Sequence, residues 1–104
     1  MQMLTIQEQE KKDTILEAIS DKYSRLILET TMNTPKTALE ISVEHSIPIS
    51  TVYRRLQTLH DAKLLAISGS ISDEGKRYFM YKSKIRQIST SFNGNVVDVS
   101  IIPN

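Results

Sequence analysis

Cysteine and tryptophan are absent from the 104 residues, and glycine and proline occur only three times each. Without cysteine there can be no disulfide, no thiolate metal site and no cysteine nucleophile. No apolar run approaches the roughly 18 residues that a membrane-spanning helix requires. The opening MQMLTIQEQE lacks the basic start and apolar centre of a secretory signal, so a cytoplasmic protein with no membrane partner is expected. The few glycines and prolines exclude low-complexity linkers, and no internal repeat is visible. What remains is ordinary globular composition, 39% hydrophobic and 24% charged in 11.8 kDa. That is enough for one core and not for two.

The net charge of +1 hides an asymmetry. Residues 1–46 carry five bases and eight acids, whereas residues 47–86 carry eight bases and three acids. Only Asp98 follows. A basic middle on an otherwise acidic chain is what a polyanion-binding surface needs, although uneven scatter on a solvated surface gives the same totals.

Helix signals dominate the first two thirds. Thr5 with Glu8 reads as a capping box for a helix over about 6–19, anchored by Ile15, Leu16, Ala18 and Ile19. Ser20 or Asp21 caps a second helix with Tyr23, Leu26, Ile27 and Thr30 on one face. Thr34-Pro35 signals a third start, with Pro35 at the first helical position and Ala38, Ile41, Ser42 and His45 on one side. After Pro48, Ser50 caps a fourth helix running to about Lys63, with Val52, Leu56 and Leu59 inward.

The period then changes to that of strands. LLAISGSI (64–71) and RYFMYK (77–82) flank SDEGK, with Gly75 at the left-handed position. That register sets Phe79 opposite Gly69, where the ring can cover the missing side chain. A second hairpin turns at Asn93-Gly94. Its alternation groups Ile88, Thr90 and Phe92 with Val97, Val99 and Ile101 on an apolar face, and Gln87, Ser89 and Ser91 with Val96, Asp98 and Ser100 on a mostly polar one.

Two short helices, a tight turn and a two-stranded ribbon follow the order of a winged helix-turn-helix. The segment TPKTALEISVEHSIPISTVYRRLQTLHDAKLL resembles winged-helix regulators of the arsenical-repressor-like (ArsR-like) group, especially archaeal-type members, over roughly residues 15–82. IPISTVYRRL is the most specific stretch. Glycine is usual in the inter-helix turn and after the recognition helix, but Ser46 and Lys63 stand there. The resemblance implies a winged helix-turn-helix. With the first helix and the second hairpin read from their own residues, a mainly α fold with a small β part is expected: a winged helix-turn-helix DNA-binding domain over residues 1–84, including the N-terminal helix, and a C-terminal β-hairpin extension over 85–104. The resemblance also implies sequence-specific binding of double-stranded DNA in transcription regulation. The family's metal sensors use a cysteine pair or a histidine–aspartate set, and neither pattern is present.

The fourth helix supports the same role from its own residues. Opposite the buried stripe project Ser50, Thr51, Arg54, Gln57, Thr58 and Asp61, with Tyr53 and Arg55 on the flanks. Arginine can pair bidentately with guanine, glutamine with adenine, and a threonine methyl can touch a thymine methyl. Arg54 and Gln57 are the expected base readers, since this helix type presents its N-terminal part to the major groove. Ser50 and Thr51 lie at a helix N-terminus suited to a phosphate, although Ser50 can equally be a plain cap. Lys76 and Arg77 at the ribbon tip are candidates for the neighbouring minor groove or backbone, partly offset by Asp73 and Glu74. Lys82, Lys84 and Arg86 can be exposed strand ends, and Tyr78 and Tyr81 read as ribbon packing.

His45 and His60 lack a second histidine at ligand spacing and a carboxylate cluster, so no metal and no other cofactor is expected. No nucleophile–base pair, phosphate loop or paired carboxylate set points to an enzyme. A different reading is a winged-helix protein-interaction module in a transcription or RNA-processing assembly, because fold alone does not decide function. Finally, an isolated hairpin is marginal in water. Its apolar face must pack either on the chain's own first helix or on a second copy, and a homodimer built from the two ends is expected.

Overall fold

A computed structural model describes residues 2–104. The chain runs β1 (Leu4–Thr5), α1 (Gln9–Ser20), α2 (Lys22–Thr30), α3 (Ala38–His45), α4 (Ile49–Asp61), β2 (Leu65–Ile71), β3 (Arg77–Ser83), β4 (Ile85–Asn93) and β5 (Val96–Pro103). The strands form two antiparallel sheets, β2-β3 and β1-β5-β4. This mixed α/β chain thus carries more β structure than the small part expected, with the strands concentrated toward the C-terminus.

Three helix starts differ from the sequence reading, each because the backbone found another partner. Thr5 caps no helix. It pairs with Ser100 in β1–β5, Ile6 N–H donates to Val99 O at 2.9 Å, and α1 begins at Gln9. Pro35 does not open α3, because Lys36 is drawn into an antiparallel bridge with Tyr81, with mutual N–H···O bonds of 3.0 and 2.8 Å. Thr37 instead caps Ala38–His45 in a full capping box with Glu40. Pro48, not Ser50, precedes α4; Ser50 is already helical and makes no capping bond. Asp21 does cap α2, accepting from Ser24 N–H at 2.8 Å.

Two left-handed residues shape the turns. Ser46 (φ 54°) ends α3 and Lys63 (φ 62°) follows α4, the two places where glycine is the usual solution. After α4 the pattern is a Schellman closure: Lys63 N–H donates to His60 O and Leu64 N–H to Leu59 O, both at 2.9 Å. Leu59 and Leu64 are both buried, which supplies the apolar contact this motif favours.

One core holds everything together. Ile15 and Ala18 of α1, Ile27 and Leu28 of α2, Ala38 and Ile41 of α3 and the Val52, Leu56, Leu59 stripe of α4 meet Leu64 and Leu65, and Ile85 and Val99 of the C-terminal sheet join the same cluster. The α2 face is rotated from the expected one: Ser24, Ile27, Leu28 and the following Thr31 are buried, whereas Tyr23, Leu26 and Thr30 are half-exposed. Met3 is exposed and packs on nothing, while Met32 and Met80 are half-buried.

The second hairpin keeps the expected faces but not the expected turn. Asn93 pairs with Val96, so Gly94 and Asn95 form the turn, and Gly94 takes the positive φ of 69°. Moving the turn by one position moves each cross-strand partner by two, so side-chain faces are unchanged. An irregularity between Ile85 and Gln87 inserts Arg86 as an extra residue in β4. Ile88, Val97, Val99 and Ile101 of the apolar face pack on the chain's own core, whereas Phe92, opposite Val97 near the tip, is 76% exposed. The molecule is elongated, 55 × 28 × 20 Å, with a Cα radius of gyration of 14.9 Å against roughly 13 Å for a compact chain of this length.

Candidate nucleic-acid interface

The buried stripe of α4 fixes which side chains it can offer. Ser50, Arg54, Gln57 and Thr58 are exposed, and Thr51 is half-buried at the first turn. Arg54 has no side-chain partner among the described residues. Gln57 is less free, since its Nε2 donates to Asp61 Oδ1 at 2.8 Å, one turn on. Thr58 Oγ1 donates back to Arg54 O at 3.1 Å, so its hydroxyl serves the helix and its methyl is left outward. At the helix start Val52 N–H reaches Pro48 O, while the N–H groups of Ile49, Ser50 and Thr51 have no acceptor among the described residues. These free donors sit at the positive end of the helix dipole.

Arg55 is the candidate site residue on α4 that the structure shows in an ion pair. Its Nε lies 2.9 Å from Asp21 Oδ2, and both side chains are more than two-thirds covered. Asp21 therefore does two jobs, capping α2 and holding α4 through Arg55. Burial raises the Asp21 pKa, but the hydrogen bonding from Ser24 and the Arg55 guanidinium outweigh it and hold the carboxyl below its ordinary 3.8. The pair ties α4 to α2 through Arg55.

The tip of the first hairpin is closed by its own backbone. Ser72 N–H donates to Lys76 O at 2.8 Å, Gly75 N–H to Ser72 O at 2.9 Å, and Lys76 N–H to Ser72 Oγ at 3.1 Å. Gly75 takes φ 81°, as its place in SDEGK predicts. Lys76 and Arg77 are exposed and make no ion pair among the described residues; Asp73 and Glu74 beside them are exposed too.

Between α3, α4 and β3 lies a half-open groove of about 350 Å³ lined by Leu39, Tyr53, Arg77, Tyr78, Phe79 and Tyr81. It brings together Tyr53 and Arg77, two residues singled out from sequence for other reasons. Phe79 does pair with Gly69, but its ring does not cover the glycine: nothing lies within 4 Å of where a Gly69 Cβ would stand. The ring instead lines the groove and is 52% exposed, with Tyr53 at 56%. Tyr81 is deeper; burial, then the neighbouring Tyr53, push its hydroxyl above the ordinary 10.0. Sequence reading passed over Leu39 and gave Phe79 only a packing role against Gly69. The available signal was Leu39 and Val43, an i, i+4 apolar pair on the side of α3 away from Ala38 and Ile41; both stay exposed, at 65% and 71%.

Neither histidine faces this region as a ligand set. His45 Nε2 is 3.0 Å from Thr30 Oγ1, which also accepts from Lys36 Nζ at 2.8 Å, and His60 is exposed. No three histidines or carboxylates gather around a common point among the described residues. No helix there is long and apolar enough to cross a membrane. Comparison with protein-family models and with curated proteins finds no match to this chain.

Proposed function

We propose that the chain is a winged helix-turn-helix transcription regulator that binds double-stranded DNA, with α4 entering the major groove and the β2–β3 hairpin acting as the wing on the backbone or minor groove. The observation that carries this reading is the set of unpartnered cationic groups on those two elements. Arg54 on α4 and Lys76 and Arg77 on the hairpin have no internal ion pair, and the free N–H groups at the start of α4 add donors for a phosphate. Ser50 and Thr51 fit a phosphate contact, Arg54 and Gln57 base contacts, and Thr58 a methyl contact. Arg55 leaves the contact set as a positioning residue.

A homodimer belongs to the same proposal. The root of the second hairpin is covered within the chain, which leaves Phe92, Val96 and the unpaired edge of β4 for a second copy. Two α4 helices about 34–36 Å apart would then read a pseudo-palindromic site.

A second reading is favoured by one observation, the exposed Leu39, Val43, Tyr53 and Phe79. Apolar surface of this kind marks protein interaction sites, and the protein-interaction module accounts for it directly. Fluorescence anisotropy of a labelled random duplex, titrated between 50 and 200 mM salt, separates the two. DNA binding gives log affinity falling linearly with log salt, at about −0.9 per neutralised phosphate. Absence of binding at 50 mM salt refutes the DNA reading.

A further inference from the structure

We infer that the groove between α4 and the first hairpin takes an unpaired nucleobase, so that the protein binds a duplex carrying a displaced base more tightly than a fully paired one. The inference rests on the DNA reading and specifies which form of DNA the site selects. The groove's volume of about 350 Å³ falls at the low end of small-molecule pockets, roughly 300–1,000 Å³. Half of its lining residues carry rings, beside Thr37, Ala38, Leu39 and Arg77. Tyr53 stands on α4, while Phe79 and Tyr81 alternate with Tyr78 along β3 and so share one face of the hairpin with Arg77. Aromatic side chains beside an arginine are a stacking platform that tolerates any base, because every base has a π face.

Charge selects this occupant over an apolar peptide. Arg77 lines the groove itself, Lys76 precedes it at the hairpin tip, and Arg54 follows Tyr53 on α4. All three lack an ion-pair partner among the described residues. The uncapped start of α4, just before Tyr53, supplies N–H donors for the phosphate attached to a stacked base. On α3, Glu40, next to the groove-lining Leu39, accepts the Thr37 N–H of its capping box at 2.9 Å. A ligand with flat apolar faces and regularly spaced negative charge satisfies all of these groups together. A base still stacked inside a duplex presents only its edge and cannot enter.

Competition anisotropy with the full chain tests this, using three 20-nucleotide probes: a blunt duplex, the same duplex with one bulged thymine, and the single strand. The bulged probe should bind about tenfold tighter than the blunt duplex, the scale of one or two stacked bases, and tighter than the single strand, which offers α4 no major groove. Phe79→Ala should bring the bulged-to-blunt affinity ratio close to one, and Phe79→Trp should preserve it. Circular dichroism melts of both variants accompany the measurement, and the tryptophan variant keeps the test valid if the alanine variant loses its fold. Equal affinity of the parent for bulged and blunt duplexes overturns the inference while leaving the DNA reading standing. A preference that survives Phe79→Ala in a folded protein also overturns it. Salt-sensitive binding to none of the probes overturns both readings and assigns the groove to a protein partner.

Discussion

Arg54 and Arg55 are neighbours in sequence, and their replacement should give opposite phenotypes. Arg55 Nε lies 2.9 Å from Asp21 Oδ2, with 29% and 27% of the two side chains exposed. A pair so largely covered stands at the upper end of the range for surface ion pairs, about 1 kcal/mol. Arg55→Met, which keeps most of the aliphatic stem, should therefore cost about 1 kcal/mol and about 5 °C in Tm for a domain of this size. Arg54 is exposed and unpaired, so Arg54→Met should change stability by no more than about 0.5 kcal/mol. On DNA the order reverses: Arg54→Met should lose roughly 1–3 kcal/mol at one base position, and Arg55→Met should leave the salt slope unchanged.

Acid adds a second measurement. The folded Asp21 pKa lies below the unfolded one, so its contribution is present above the unfolded value, near 3.9, and is lost as pH falls through the folded value. Removing Arg55 raises the folded pKa, so the stability gap between parent and Arg55→Met should narrow below about pH 4. Urea denaturation across pH 3–7, with anisotropy at pH 7, covers both arms. An Arg55 variant that is as stable as the parent and loses DNA affinity as Arg54→Met does would refute the assignment.

Replacing Lys76 and Arg77 with alanine should weaken specific and random duplexes alike and lower the salt slope by up to ~2; an unchanged slope would place the hairpin tip off the DNA. Lys63→Gly should relieve the left-handed strain at φ 62° and stabilise by up to about 1 kcal/mol in chemical denaturation, whereas a loss of stability would mean that the lysine side chain matters more than its backbone. Phe92→Lys should lower the light-scattering mass from that of a dimer toward 11.8 kDa without changing the melt. A parent already at that mass would remove the homodimer. Deleting residues 85–104 would not test the dimer cleanly, because Ile85 and Val99 are core residues.

Periodicity made the inner face of α4 and both hairpins legible, because it reports which side chains share a side whatever their partners are. It could not show which backbone groups would be claimed from a distance. Thr5 and Glu8 form a sound local capping box, yet β5 takes Thr5 from the far end of the chain. Pro35 is a sound local start, yet Tyr81 holds Lys36 extended. The same limit applies at the candidate interface. Helical geometry put Arg55 on the flank of α4, but only the position of α2 reveals that Asp21 neutralises it. Phe79 opposite Gly69 was legible as a pair; that its ring turns to the groove depended on where α3 and α4 lie.

The pairing of Leu4 with Ile101 brings nearly the whole chain into one closed loop. The helices and both hairpins can form from local contacts, but β1 can dock only after the last strand exists. Val99, fully buried, also reaches the core at that late stage. During synthesis most of this protein must therefore leave the ribosome with its core incomplete, and the closing step carries the long-range entropy that slows folding. The same geometry makes Leu4 and Ile101 neighbours in space. A chain rejoined there by a short linker and reopened at the exposed Gly75 tip should fold to the same structure, with its most distant contact converted into a local one.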